Sequence, residues 1–119
     1  MKLIISSTGP DPTDPVDPRF GRACYFLAFD SETGEFQTID NSEQVDAAQG
    51  AGVQTAQMVT GHGAGAVLTG RCGPKAFQVL TEARVAIYSG FQGSVQEAVD
   101  AWQGGNLQPL AAPDGKSRR

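Results

Sequence analysis

The loop Arg19-Phe20-Gly21-Arg22 is the first part of this 119-residue sequence that is suited to chemistry. Two guanidinium groups beside an aromatic ring suit an anion with polarizable faces. A second interpretation is open for the same residues, in which Asp17 pairs with Arg19 inside the loop and Phe20 anchors the loop to the core. An apolar anchor alone would not require both arginines, so the sequence favours the anion site.

A second cationic loop, at residues 70–75, combines Arg71, Cys72, Gly73, Pro74 and Lys75. Its glycines permit close approach of a ligand to the backbone, its cations supply charge, and the Cys72 thiol is a soft metal ligand. The loop lacks the GxxxxGKS/T spacing of a nucleotide P-loop. Two interpretations of Cys72 are equally open: a metal ligand, or a small buried apolar side chain before a helix.

Three further positions complete the candidate site. Gly90 and Phe91 lie in a glycine-rich turn, and His62 is the single histidine, flanked by Gly61 and Gly63. A loop histidine is more often only exposed than a ligand, so both interpretations of His62 stay open. Cys24 opens an apolar run and is expected in the core.

Alternating apolar patterns and turn signals predict the element order βββαβαβα. Pro74 is placed to begin a helix, and Ser94 with Glu97 forms a capping-box pattern. The predicted strands are Lys2–Ser7, Cys24–Asp30, Glu35–Asp40, Ala64–Thr69 and Val85–Ser89; the predicted helices are Gly52–Thr60, Lys75–Ala83, and Ser94 to near Gly104.

This order predicts an α/β fold, a mixed five-stranded sheet with helices on its faces, in one domain over residues 1–110. Residues 111–119 lack periodicity and are expected to form a flexible tail. Ligands of open α/β sheets bind where loops leave the carboxyl ends of parallel strands. Three glycine-rich loops are expected there: residues 61–63 beside residues 50–52, residues 70–75, and residues 89–94.

Composition restricts the function classes. A net charge of −4 and a pI near 4.7 disfavour a duplex nucleic-acid binder, which needs a basic face. The first residues are too short an apolar run for a signal peptide or a membrane span, so we expect a cytoplasmic protein. Two cysteines far apart in sequence predict neither a CxxC zinc site nor a redox motif.

Several segments resemble the dinitrogenase iron-molybdenum cofactor biosynthesis family. They are VDPRFGRA (16–23) with the strand CYFLAFD after it, GAGVQTAQMV (50–59) and GPKAFQVLTEARVAIY (73–88), so the likeness covers about residues 1–110. The resemblance implies a ribonuclease-H-like sheet and noncovalent binding or carriage of iron-molybdenum cofactor, its precursors or related molybdenum-sulfur species, without catalysis. The chain is also similar in size to the short, stand-alone members of the family that have two cysteines. This similarity implies a molybdenum-copper sulfide cluster as the ligand.

The resemblance also implies that residues 19–22 and the turn Gly73-Pro74-Lys75 border the ligand. Cys72 departs from the aliphatic residue common before that turn, and His62 matches no family motif.

Two other classes stay open: a thiol-dependent enzyme that uses Cys72 at a helix start, although no base is evident, and an interaction module of a multiprotein complex. A ribonuclease-H-like nuclease is excluded because the first strand and the first helix carry no carboxylates to hold two metal ions.

Overall fold

A mixed five-stranded sheet lies at the centre of the computed structural model, which describes residues 1–41 and 51–110. The strand order is β3-β2-β1-β4-β5. Strands β1, β4 and β5 are parallel to one another, while β2 is antiparallel to both β1 and β3. In this described part the elements are β1 (Lys2–Ser7), β2 (Tyr25–Asp30), β3 (Phe36–Asp40), α1 (Ala51–Gly61), β4 (Ala66–Leu68), α2 (Pro74–Glu82), β5 (Ala86–Tyr88) and α3 (Val95–Gln103).

The predicted α/β class and the order βββαβαβα are confirmed, and β1 has the predicted bounds. The other predicted boundaries differ from the observed ones by at most two residues. The strand order is compatible with the ribonuclease-H-like sheet that the resemblance implied. The predicted flexible tail, 111–119, lies outside the described residues.

The alternation of side chains along β1 sends neighbouring residues to opposite faces of the sheet, and each face has its own apolar cluster. Ile4 faces a cluster completed by α1 and α2 through residues such as Val59 and Leu80. Leu3 and Ile5 face the other cluster, completed by α3. Within residues 1–41 and 51–110, the sheet is therefore the middle layer between two helices on one side and one helix on the other.

Local signals explain where the last two helices begin. Pro74 is the first residue of α2, where its missing N–H removes no helical hydrogen bond. The Ser94 hydroxyl accepts from the Glu97 N–H at 3.1 Å, and the Glu97 carboxylate accepts from the Ser94 N–H at 2.8 Å, which is the predicted capping box. Both helices thus start at the edge of the sheet where β4 and β5 end.

Candidate functional site

Three loops meet at the carboxyl ends of β1, β4 and β5. The loop that follows β1 forms a parallel bridge with the loop that follows β4, pairing Arg19 with Arg71. The Gly90 N–H, after β5, donates to the Gly70 carbonyl at 2.9 Å. The structure therefore brings Arg19, Arg71 and Gly90 together at this edge of the sheet.

The loop after β1 is fixed to the sheet by a buried polar network. The Asp17 N–H donates to the Ser6 carbonyl at 2.9 Å, and the Ser6 hydroxyl lies 2.8 Å from both the Asp17 carbonyl and the Thr69 hydroxyl. All three residues are buried. Because buried polar groups with partners are costly to separate, this network sets the position of the residues that follow.

A cleft of about 350 Å³ opens between the loops. That volume lies at the lower end of the range for small-ligand pockets, roughly 300–1,000 Å³. Two residues of the cleft, Pro18 and Gln92, were not predicted as site residues. The glycines and arginines beside them in the sequence are the signal that could have identified them. The lining residues are Pro18, Gly70, Arg71, Gly90, Phe91 and Gln92.

Arg19 and Arg71 differ in whether an acidic side chain lies near their guanidinium groups. Asp17 lies 3.5 Å from the Arg19 Nε and its side chain is 5% exposed, whereas that of Arg19 is 66% exposed. Arg71 is exposed, and among residues 1–41 and 51–110 its guanidinium has no hydrogen bond or ion pair. Like charges directly opposite each other in a ladder are unfavourable, so the Arg19–Arg71 pair favours an anion.

Of residues 20–22, Phe20 lies in the core, and the next two residues lie nearer the surface. Phe20 is 2% exposed and packs edge-on against Phe26 at a ring-centroid distance of 5.5 Å, so it anchors the loop as the second interpretation held. Gly21 is half-buried and Arg22 is exposed on the turn that follows. The Asp17–Arg19 pairing of that interpretation is also present, and it leaves the Arg19 guanidinium accessible.

The second cationic loop, residues 70–75, likewise has some residues at the surface and one in the core. Gly73 caps α2 with its backbone, and Pro74 and Lys75 are exposed in the first turn. Cys72 is 0% exposed and belongs to the apolar cluster under α1 and α2, with its Sγ 3.8 Å from the Gly73 carbonyl oxygen. This burial argues against the metal-ligand interpretation of Cys72, because the thiol does not reach the cleft.

Two other predicted positions lie elsewhere. His62 follows the last turn of α1, and its carbonyl accepts from the Lys2 Nζ at 2.9 Å, which places it at the amino end of β1. The structure therefore does not bring His62 to the cleft, and the expectation that residues 61–63 lie at the carboxyl ends of the strands is wrong. Cys24 is exposed at the start of β2, and its expected place in the core is wrong.

The described residues contain no group of three or more His, Cys, Asp or Glu side chains that could hold a metal ion. What the cleft and its border offer is arginine side chains and the Phe91 ring, which suit an anion bound as a whole. In the same part of the chain, no helix is long and apolar enough to cross a membrane.

Several known proteins are similar to this chain in sequence or in structure. The orange protein from Desulfovibrio gigas, in its apo form, is 35% identical, covers 95% of each chain and superposes with a TM-score of 0.92. A Thermotoga protein named as a NifB protein is 32% identical, with 98% of each chain covered and a TM-score of 0.84. An uncharacterised protein of Methanocaldococcus jannaschii is 26% identical over 111 residues, 91% of this chain and 90% of the other. The model of the family described as dinitrogenase iron-molybdenum cofactor matches residues 1–105, and the chain therefore belongs to that family.

Proposed function

We propose that this protein binds a molybdenum-containing metal-sulfide cluster noncovalently at the carboxyl edge of its sheet, and that it carries the cluster instead of catalysing a reaction. The observation that supports this most is the direct opposition of Arg19 and Arg71 beside the cleft. Asp17 offsets the charge of Arg19 only. A bound anion would offset the charge of Arg71 as well.

The character of the cleft favours sulfide over oxide ligands. Sulfide is a weak hydrogen-bond acceptor and is polarizable, so it suits a surface that is part cationic and part apolar. Phe91 and Pro18 give the cleft its apolar wall, and Arg71 gives it charge. Membership of the family supports molybdenum in the cargo. The likeness to the orange protein, with the resemblance in size and cysteine number, supports a molybdenum-copper sulfide cluster over an iron-molybdenum-sulfur precursor.

Copper in such a cluster would be held by the sulfides of the cluster itself. The Cys72 thiol is fully buried beneath α1 and α2, and ligation would require it to leave the apolar cluster. The same burial disfavours the thiol-dependent enzyme, since a reactive cysteine needs access to its substrate. Carriage in the cytoplasm, with delivery to a multiprotein complex, completes the proposal.

Anaerobic purification without chelators tests the cargo. Visible absorption and the content of molybdenum, copper, iron and sulfide would be measured together. Molybdenum and copper with charge-transfer bands would support the proposal, and iron with molybdenum would favour the precursor. A colourless, metal-free protein that also fails to bind added tetrathiomolybdate and copper(I) would overturn it in favour of the interaction module.

Arg71→Gln tests the site, with Arg84→Gln as the matched control. Arg84 is also an exposed arginine, but it follows α2 and precedes β5, at the opposite edge of the sheet. A charged hydrogen bond contributes about 1.5–3 kcal/mol, so Arg71→Gln is expected to weaken binding of tetrathiomolybdate with copper(I) by roughly 10-fold or more. Arg84→Gln should bind like the wild type. Equal affinities of the two variants would place the site elsewhere.

A further inference from the structure

Asp17 is an acidic residue next to a site proposed for an anion. Its carboxylate is nearly buried, with 5% of the side chain exposed. On charge alone such a residue should repel the ligand, so its presence requires another explanation.

The contacts of Asp17 supply that explanation. Its Oδ1 accepts from the Arg19 N–H at 2.9 Å and lies 3.5 Å from the Arg19 Nε. One carboxylate oxygen therefore holds both the backbone and the side chain of the same arginine. The Asp17 carbonyl in turn accepts from the Ser6 hydroxyl, so the carboxylate is itself attached to the end of β1.

The arrangement holds Arg19 at its backbone N–H and at Nε, the inner nitrogen of the guanidinium, while 66% of the side chain stays exposed. A free arginine side chain at the same place would have to be immobilised when it binds a ligand. That immobilisation costs about 0.5–1.5 kcal/mol for a side chain with many rotamers, which corresponds to roughly 2- to 13-fold in affinity.

We infer that Asp17 is a positioning residue, which orients Arg19 for the anion without touching the anion. The inference rests on the proposed function. It predicts a sign opposite to that of simple electrostatics: removing the negative charge should weaken binding of the anion. A loop anchor with no role toward Arg19 would act instead through stability.

Asp17→Asn is the variant that separates these accounts, because asparagine keeps an oxygen for the Arg19 N–H and loses the charged contact to Nε. Affinity for tetrathiomolybdate with copper(I) would be measured by titration of the charge-transfer absorption, at about 0.5 M salt to screen long-range charge effects. We expect a 2- to 10-fold loss with an unchanged melting temperature. Unchanged or tighter binding would overturn the inference.

A double-mutant cycle with Arg19→Lys provides the control, since lysine has no Nε–H at the position that Asp17 contacts. In the Arg19→Lys background, Asp17→Asn should cause no further loss of affinity. A loss of the same size in both backgrounds would show that Asp17 acts only as an anchor of the loop and not through Arg19.

A ligand-free measurement separates failure of this inference from failure of the proposed function. In ¹⁵N-edited spectra, the Arg19 Nε–H should exchange with water more slowly than that of Arg84, and Asp17→Asn should remove the difference. If wild-type protein binds no thiomolybdate, the proposed function fails while this result still decides the role of Asp17. Equal exchange at Arg19 and Arg84 in the wild type would overturn the inference whatever the protein binds.

Discussion

Gly70 is the position where a single methyl group should damage the candidate site most directly. A Cβ built on Gly70 would lie 2.9 Å from the Pro18 carbonyl oxygen and 3.0 Å from its carbonyl carbon, with the Pro18 Cα closer still. All three are backbone atoms, so no side-chain rotation can relieve the contact. Gly70→Ala therefore has to push the loop after β1 away from the loop after β4 by on the order of 1 Å.

The magnitude follows from what that displacement breaks. The Gly70 N–H donates to the Asp17 carbonyl and the Phe20 N–H donates to the Arg71 carbonyl, each at 3.4 Å. These are already long hydrogen bonds, and a further shift would remove them at about 0.5–1.5 kcal/mol each. With about 1–3 kcal/mol for overpacking, Gly70→Ala is expected to lower the free energy of unfolding by about 2–6 kcal/mol.

Urea unfolding of the metal-free protein measures this loss, followed by tetrathiomolybdate and copper(I) titration of the folded variant. At a slope of about 2 kcal/mol per M, the middle of the usual range for urea, the midpoint should fall by roughly 1–3 M. Affinity should also fall, because the displacement separates Arg19 from Arg71. Gly61→Ala is the matched control, since its added methyl group meets no atom of the described residues within 4 Å and it ends a helix at the opposite edge.

The control should be stabilised by up to about 1 kcal/mol, as alanine is favoured over glycine in helices, and its affinity should not change. If Gly70→Ala unfolds at the same urea concentration as Gly61→Ala, the close approach of the two loops cannot be what holds the site together. If Gly70→Ala is destabilised but binds normally, the pairing of the arginines is not needed for the ligand.

Two further predictions concern parts of the chain outside the cleft. Arg84 has φ +64° in a Schellman turn after α2, a backbone conformation that is strained for residues other than glycine. Arg84→Gly should therefore stabilise the protein by about 1 kcal/mol and raise the melting temperature in calorimetry by about 4 °C. A lower melting temperature would show that the backbone at Arg84 is not strained. In native protein, iodoacetamide should modify the exposed Cys24, and Cys72 should react only on unfolding, as peptide mass spectrometry would show. Rapid native alkylation of Cys72 would reopen its role as a metal ligand.

Elements with strong local signals could be predicted from the sequence. Pro74 at a helix start and the Ser94–Glu97 box each act through neighbouring residues, so the chain encodes them locally. The element order followed from alternating patterns, and the mixed sheet followed from parallel crossovers beside an early hairpin. From these elements the carboxyl edge of the sheet that carries Arg71 and Gly90 could be predicted before any contact was known, whereas Arg19 was assigned to the ligand by its residue type and by the family resemblance.

The burial of the two cysteines could not be predicted in this way. Cys24 begins an apolar strand yet is exposed, whereas Cys72 lies between a charged residue and a glycine yet is buried. Neither position belongs to a periodic pattern, because each lies in the transition from a loop to an element. Which way such a side chain points depends on the packing of α1 and α2 over the sheet, a contact between segments distant in sequence.

His62 is different, because topology alone could have placed it correctly. A loop that leads into a parallel strand lies at the amino end of that strand, and residues 62–65 lead into β4. His62 was selected because it is a histidine between two glycines. The connectivity of the chain, however, places it at the amino ends of the parallel strands, opposite the cleft. In an open α/β sheet, a loop can contribute to the ligand site only if it adjoins the correct end of the strands. Its position therefore says more about function than its residue types.

That principle also explains why the candidate site has no single sequence motif. The arginine pair is formed by residues 52 positions apart, and it is unfavourable by itself because two like charges are opposed. The core packing of Phe20 and the hydrogen bonds from Ser6 to Asp17 hold the pair in place, and these contacts involve no ligand. Since the fold alone maintains the opposition of the charges, the site should be formed before the anion arrives, and binding should relieve the repulsion without rearranging the backbone.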